Sequence, residues 1–181
     1  MKKIISLILI ISVFLSLPTL SYAYDYSLTD KIGIEVRALT NEEYLVLKEI
    51  SDDFIMQPYG GSPPSNKWDL SQGDYSGTFG FNSFTYTNNK FKSHDGDFYM
   101  LIDSSADISN PSDYSIEISL MKDVLFSHVV AASAEIPIGV PYIVTFTGYD
   151  IVNYYVKFSH PAGQSGFYVE GEFTISDTNE F

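Results

Sequence analysis

The sequence predicts a mainly β protein, an antiparallel two-sheet β-sandwich of jelly-roll-like form with one short N-terminal helix. From Trp68 onward the chain consists of short runs in which apolar and polar residues alternate, with turn residues between them. About eight such runs follow one another without an intervening helical segment, which favours two packed antiparallel sheets. The 14 Tyr and 13 Phe side chains supply a large core to a chain that has no cysteine for disulfides.

Residues 1–23 predict a secretory signal peptide. Two lysines follow the initiating methionine, residues 4–17 are apolar, and Ser21 and Ala23 are small residues at the two cleavage-site positions. The apolar run is shorter than the roughly 18 residues of a membrane span. We therefore expect a secreted, extracellular protein that begins near Tyr24 and has no stable membrane insertion.

The balance of charge limits the partners that the protein can bind. The chain has 23 acidic and 10 basic residues, and removal of residues 1–23 takes away two lysines and no acid, so the charge becomes 8 − 23 = −15. Nucleic acid is not an expected partner, and anionic wall polymers and lipid surfaces would be repelled unless a divalent cation bridged them. An extracellular carbohydrate or protein is the expected kind of partner.

Residues 24–56 predict a strand and a helix that pack on the main domain. Apolar residues alternate over 32–36, as in a short strand. Thr40 and Glu43 have the spacing of a capping box, which predicts a helix from about residue 41 to residue 52. The apolar side of this helix is expected to carry Tyr44, Leu45, Leu47 and Ile50.

The segment "QPYGGSPPSNK", residues 57–67, is rich in Pro, Gly and Ser and predicts a linker. The β-sandwich domain then covers residues 68–181. The alternation predicts strands within 79–86, 98–102, 114–120 and 142–146. Residues 124–131 are apolar on both faces, which predicts a central strand covered on both sides.

The end of the domain predicts a β-hairpin. Residues 154–158 and 167–175 alternate in the same sense, and "HPAGQSG" between them is rich in turn residues. Phe158 and Val169 are expected to point into the core, while Lys157 and Glu170 face outward or toward the helix.

The stretch "SHDGD" allows two interpretations. Asp95-Gly96 is a strong signal for a two-residue hairpin turn. His94, Asp95 and Asp97 could instead ligate a metal ion, but they would need a further ligand and do not match the spacing of a calcium loop. The sequence favours the turn.

The loop "DSSADISNPSD" contains the candidate metal ligands. Carboxylates at Asp103, Asp107 and Asp113 could bind calcium at one end of a sandwich, because Ca²⁺ takes six to eight oxygen ligands from neighbouring turns. The alternative is that these are solvated loop residues. No other cofactor is predicted.

Aromatic side chains supply the candidate ligand-binding residues. Tyr155 and Tyr168 are expected on the outer face of the last hairpin, and Trp68 lies at the linker boundary. Together they could form a flat surface on which sugar rings stack. The alternative is that they pack within the protein, since aromatic residues are favoured in strands.

Paired carboxylates raise the possibility of a glycosidase. Glu170 and Glu172 share one face of a strand, and Glu117 could lie on a neighbouring strand. Glycosidase acids act as a pair across a sugar. Lys157 could instead form ion pairs with these acids, as on an ordinary solvated sheet. We predict no catalytic residue from the sequence.

Residues 68–176 resemble a loose group of small secreted β-sandwich proteins of Gram-positive bacteria, most of them uncharacterised. The residues that carry this resemblance are Tyr86, Thr87, Asn88, Phe91, Tyr154, Tyr155, Phe158 and Gly171. The resemblance implies a compact β-sandwich and assigns no catalytic residue.

These observations favour a secreted, non-catalytic β-sandwich that acts by surface binding or interaction. A carbohydrate-binding or calcium-dependent binding module is the more specific alternative, and a glycosidase with paired carboxylates is the alternative from another class. A groove with facing carboxylates would favour the enzyme, and a flat or convex sheet with exposed rings would favour the binding protein.

Overall fold

The computed structural model describes residues 33–50, 61–124 and 127–179, which form eleven strands and one α-helix. In chain order these elements are β1 (Gly33–Ala38), α1 (Asn41–Ile50), β2 (Asn66–Asp69), β3 (Tyr75–Phe81), β4 (Phe84–Tyr86), β5 (Asn89–Lys92), β6 (Phe98–Ala106), β7 (Ser115–Val124), β8 (Ser127–Pro137), β9 (Tyr142–Thr147), β10 (Tyr154–Ser159) and β11 (Val169–Ser176).

The strands form two sheets, so the prediction of a mainly β, two-sheet protein is confirmed. Sheet A has the order β1-β9-β6-β11-β3, and sheet B has the order β2-β5-β10-β7-β8, with β4 also paired to β10. All pairs are antiparallel except β2 with β5. Sheet B is therefore mixed. Residues 70–88 connect its two parallel strands and supply the long crossover that a parallel pair requires.

One shared core lies between the two sheets. Phe79 of sheet A stacks on Phe158 of sheet B, with ring centroids 4.4 Å apart and planes 9° apart. Phe158 and Val169 are both fully buried, which confirms their predicted inward direction. Inward side chains of β6 and β9 belong to the same core as those of β7 and β10. The alternation of apolar residues thus identified the core faces correctly.

Helix α1 begins as the capping box predicts. The Thr40 backbone N–H donates to Glu43 Oε2 at 2.8 Å, and the Glu43 backbone N–H donates to Thr40 Oγ1 at 3.2 Å. These reciprocal bonds satisfy two of the donors that every helix start leaves free. The helix is described to Ile50, and residues 51 and 52 of its predicted range lie outside the described part of the chain.

Helix α1 packs on the outer face of sheet A. Tyr44 and Leu47 contact a small second core that includes Leu101 and Ile143. This contact explains why β6 is apolar on both of its faces. The prediction that Leu45 belongs to the apolar side of the helix was wrong, because Leu45 is 58% exposed. One step along a helix turns a side chain by about 100°, which carries Leu45 away from the sheet.

The predicted hairpin at the end of the domain was wrong. β10 belongs to sheet B and β11 to sheet A, so the loop at residues 160–168 crosses from one sheet to the other. The apolar side chains of both strands point into the one core between the sheets. A shared inward pattern is therefore compatible with facing strands of two sheets as well as with neighbours in one sheet.

The predicted central strand over 124–131 was also wrong. The chain reverses within this segment, since β7 ends at Val124 and β8 begins at Ser127 at the edge of sheet B. Val129 and Val130 are about half exposed. A short apolar run does not by itself distinguish a central strand from the ends of two neighbouring strands.

The turn at Asp95-Gly96 is present, but it is not a hairpin. It joins β5 of sheet B to β6 of sheet A. Gly96 has φ = 95°, whereas Asp95 does not have a positive φ, as a two-residue hairpin of type I′ would require. Ser93 Oγ accepts the Gly96 backbone N–H at 3.0 Å, and Asp95 Oδ1 accepts the Asp97 backbone N–H at 3.0 Å. Side-chain hydrogen bonds thus shape a crossover turn between sheets.

The N-terminal predictions fall mostly outside the structure. Residues 1–23, the predicted signal peptide, lie outside the described residues. The predicted linker, 57–67, is described only from residue 61, and its last two residues belong to β2. Within the described ranges, no helix has the length and apolar character needed to cross a membrane.

Candidate binding groove

A shallow groove of about 420 Å³ lies on the outer face of sheet A, beside helix α1. Strands β3, β6 and β11 form its floor. We call it the acidic groove, and the side chains that define it are Thr78, Asp103, Ser105, Tyr168, Glu170 and Glu172.

Strand register brings the polar residues of the groove together. Glu172 of β11 lies opposite Asp103 of β6 and Thr78 of β3, and Glu170 lies opposite Ser105 of β6. Directly opposite residues have Cβ atoms about 4.5–5.5 Å apart and point to the same face. Three carboxylates from two adjacent strands therefore share one small surface.

Gly80 makes room for the aromatic side of the groove. A Cβ atom at this position in β3 would overlap the hydroxyl of Tyr168. Because Gly80 has no side chain, Tyr168 can lie against β3 while the residue stays 40% exposed. The groove thus combines an accessible aromatic ring with the carboxylates of the neighbouring strand.

Helix α1 holds Glu172 in place. The Tyr44 hydroxyl and Lys48 Nζ both donate to Glu172 Oε1. Burial, together with this hydrogen bond, raises the pKa of Tyr44 well above its ordinary value. Glu172 is thus fixed and its charge is balanced by Lys48, which leaves Asp103 and Glu170 as the carboxylates better placed to accept from a ligand.

Asp103 is in an unfavourable environment for a charge. Burial raises the pKa of Asp103, and the negative charge of Glu172 raises it further. A hydrogen bond from the Ser104 backbone and the positive charge of Lys48 oppose this only in part. None of the ion pairs found in the described residues includes Asp103. An ionised Asp103 therefore destabilises the folded state, as is common at functional sites.

We expect Asp103→Asn to raise the stability of the protein at pH 7. A carboxyl group whose pKa is higher in the folded than in the unfolded state makes folding less favourable as pH rises above its unfolded pKa, about 3.9. The gain should therefore be present at pH 7 and disappear near pH 3. Thermal melts at both pH values measure it, with Asp107→Asn on the exposed loop as control. A lower melting temperature for Asp103→Asn at pH 7 would contradict this account.

The structure does not bring the three predicted aromatic residues together. Tyr168 lies in the acidic groove on sheet A. Tyr155 lies on β10 of sheet B and is fully buried, and its ring makes T-shaped contacts with the rings of Tyr86 and His128. Trp68 lies on β2 of sheet B, where its indole N–H donates to the Gly73 carbonyl at 2.9 Å. Tyr155 is thus unavailable for stacking, because neighbouring side chains cover its face of the sheet.

The predicted calcium ligands are also separated. Asp103 is in strand β6, Asp107 is on the exposed loop that follows, and Asp113 ends a 3-10 turn. No group of three or more His, Asp or Glu side chains in the described ranges is arranged to bind a metal ion. Strand β6 extends to Ala106, so the first four residues of the predicted loop belong to the strand, and Asp103 lies on the outer face of sheet A.

Glu117, considered as a possible partner of Glu170 and Glu172, lies on the other sheet. Glu117 is on β7 of sheet B, where its Oε2 accepts from Ser159 Oγ at 3.3 Å, so it cannot face Glu170 on sheet A. The partner on the neighbouring strand is Asp103 instead. No local pattern in the sequence reveals this, since the contact depends on which strands pair.

Comparison of the chain with protein-family models, with curated proteins and with solved structures finds no match.

Proposed function

We propose that the protein is a secreted, non-catalytic binding protein that binds a carbohydrate in the acidic groove. The observation that carries this proposal is the half-exposed ring of Tyr168 beside the carboxylates of Asp103 and Glu170. The predicted signal peptide at residues 1–23 supports the secreted location.

The chemistry of the groove suits a sugar. A pyranose ring has C–H faces that pack on an aromatic ring, and it has hydroxyl groups around its rim that donate hydrogen bonds. Hydrogen bonds from hydroxyls to ionised carboxylates are roughly twice as strong as those between neutral groups. Tyr168 would supply the stacking surface, and Asp103 and Glu170 would accept from the hydroxyls.

The strand connections support a jelly-roll-like sandwich as the finer description of the fold. Going inward from the two ends of the domain, β3 pairs with β11, β4 and β5 pair with β10, β6 pairs with β9, and β7 pairs with β8. Such nested antiparallel pairing is what a long hairpin produces when it folds over into two sheets. Lectin domains are among the proteins built on this architecture.

We expect at least one neutral oligosaccharide to bind and Tyr168→Ala to weaken that binding about tenfold or more, since stacking on the ring would be lost. Isothermal titration calorimetry with soluble hexasaccharides of cellulose, xylan, chitin and starch measures this. Tyr168→Phe keeps the ring and should retain most of the affinity.

Glu170→Gln should also weaken binding, because a neutral amide accepts a hydrogen bond less strongly than a carboxylate. Glu135→Gln, an equal change on the exposed edge of sheet B, serves as the control. Equal affinity for wild type and Tyr168→Ala would refute the assignment of the groove, and absence of binding to every hexasaccharide would refute the carbohydrate proposal.

A glycosidase is the second candidate, and the raised pKa of Asp103 beside Glu172 favours it. A glycosidase needs one protonated carboxyl group and one ionised carboxylate on either side of a sugar bond. Asp103 would be the acid and Glu170 or Glu172 its partner. Release of reducing ends from the same hexasaccharides, lost in Asp103→Asn, would support the enzyme over the binding protein.

A further inference from the structure

A second cavity, of about 700 Å³, lies beside strands β2 and β5 at the edge of sheet B. It is separate from the acidic groove on sheet A. We call it the basic pocket, and the residues on which the argument depends are Lys67, Trp68, Gln72, Lys92 and Asn153.

The two lysines of the basic pocket stand out in an acidic chain. Only eight basic residues follow residue 23. Four of these form ion pairs: Arg37, Lys48, Lys90 and Lys122. Lys67 and Lys92 are exposed, and neither has an ion-pair partner in the part of the chain that the structure describes. Neither ammonium group is therefore fixed by an ion pair in the described part of the chain.

Two carboxylates, Asp69 and Asp123, also line the pocket, and each is held by another group. Asp69 Oδ1 accepts from the Ser71 backbone N–H at 3.1 Å and from Ser71 Oγ at 2.7 Å. These bonds hold the pKa of Asp69 below its ordinary value, and the charge of Lys92 lowers it further. Asp123 Oδ2 accepts from Lys90 Nζ at 2.8 Å. Neither carboxylate is within ion-pair distance of Lys67 or Lys92.

The parallel pairing of β2 with β5 places the two lysines on one face. Lys67 lies beside Lys90, Trp68 beside Phe91, and Asp69 beside Lys92. Trp68 and Phe91 turn toward the core, so the alternate residues Lys67 and Lys92 turn outward. The hydrogen bond from the Trp68 indole to Gly73 and the contact with the Tyr75 ring, 5.6 Å between centroids, fix this corner of the pocket.

We propose that the basic pocket binds a small anionic ligand through a single carboxylate or phosphate group, held between Lys67 and Lys92, with the amide groups of Gln72 and Asn153 as neutral donors. Either group has the negative charge and the acceptor oxygens that two ammonium groups recognise. The net charge of the protein opposes a long polyanion, but its distant acids are screened beyond about 10 Å at 0.1 M salt, so a short ligand can bind.

Calorimetric titration tests the site with three probes: trigalacturonate, the neutral galactose trisaccharide and inorganic phosphate. We expect trigalacturonate to bind at least about tenfold more tightly than the neutral trisaccharide, and its affinity to fall with added salt. Lys67→Met and Lys92→Met should each weaken its binding several-fold, and the double variant should abolish it. The double variant Lys67→Arg/Lys92→Arg should bind trigalacturonate, unlike the double methionine variant, since arginine keeps both positive charges.

Lys157→Met is the matched control, because it removes one positive charge elsewhere on sheet B, where Lys157 contacts the Phe84 ring. Its affinity should equal that of wild type. Tyr168→Ala should also leave trigalacturonate binding unchanged. The proposal for the basic pocket can therefore be tested independently of the proposal for the acidic groove. Phosphate that binds as tightly as trigalacturonate would identify the group as a phosphate. Equal binding of acidic and neutral trisaccharides, no binding of either anion, or full affinity in the double methionine variant would overturn the proposal.

Discussion

Phe158→Ala is expected to lower the free energy of unfolding by about 3–5 kcal/mol, which is the range observed for large aromatic side chains removed from protein cores. Phe158 is fully buried, and its ring stacks on Phe79 and contacts Phe173 with centroids 5.4 Å apart. These two neighbours belong to strands of the opposite sheet. The substitution therefore opens a cavity at the contact between the sheets, and neither sheet can close it without moving as a whole.

Chemical denaturation measures this loss, and Phe84→Ala is the matched control. Phe84 lies on β4, which pairs with β10, but it is 45% exposed. Its replacement should cost less than about 1 kcal/mol, as is usual for surface positions. A loss under about 1 kcal/mol for Phe158→Ala, or equal losses for the two variants, would show that Phe158 does not contribute to the core as described.

The inward and outward faces of the strands could be predicted because they depend on local pattern alone. In β6, Met100 and Ile102 enter the main core, and Leu101 between them contacts α1. The capping box at Thr40 was predictable for the same reason, since its two hydrogen bonds join residues only three apart.

The assignment of strands to sheets could not be predicted. β10 and β11 are close in the sequence, and the apolar side chains of both point into the same core. They nevertheless belong to different sheets. A period of two residues states which side of a strand is buried but carries no information about which strand lies beside it. The parallel pairing of β2 with β5 escaped prediction because a strand of the other sheet, β3, lies between them in the chain.

The candidate site escaped prediction for the same reason. Asp103 and Glu172 are 69 positions apart in the sequence and meet only because β6 pairs with β11. Tyr168 was correctly singled out as an exposed ring, but Gly80, which makes room for it, lies on a strand that the sequence did not connect with it. A binding site built across paired strands becomes visible only when the register is known.

Gly96→Ala is expected to destabilise the protein by more than about 3 kcal/mol, because two separate costs combine at this residue. Gly96 has φ = 95°, which other residues rarely adopt. A Cβ atom here would also overlap the backbone carbonyl oxygen of Tyr149, whose own N–H donates to the Gly96 carbonyl at 3.2 Å. The loop before β6 is thus joined backbone to backbone with the loop after β9, and neither can withdraw easily.

Gly163→Ala separates the two costs. Gly163 has a similar φ of 88°, but a Cβ atom there would meet nothing within 4 Å. Its replacement should cost only the backbone strain, about 1–3 kcal/mol. Chemical denaturation of the two variants gives the contribution of the overlap as their difference, and equal losses would show that the approach of Tyr149 does not matter.

The stability of the turn at Asp95-Gly96 should not depend on a metal ion, because the carboxylates of Asp95 and Asp97 accept hydrogen bonds from backbone N–H groups. Asp97 Oδ1 accepts the Gly148 backbone N–H at 2.8 Å, which an asparagine oxygen can also do. We therefore expect Asp97→Asn to be nearly neutral, and the melting temperatures of wild type and variant to be the same in chelator and in millimolar calcium or micromolar zinc. A bound metal would stabilise the native state and would lose a ligand in Asp97→Asn. A rise of several degrees with metal in wild type, abolished by Asp97→Asn, would require the turn to be reinterpreted as a metal site.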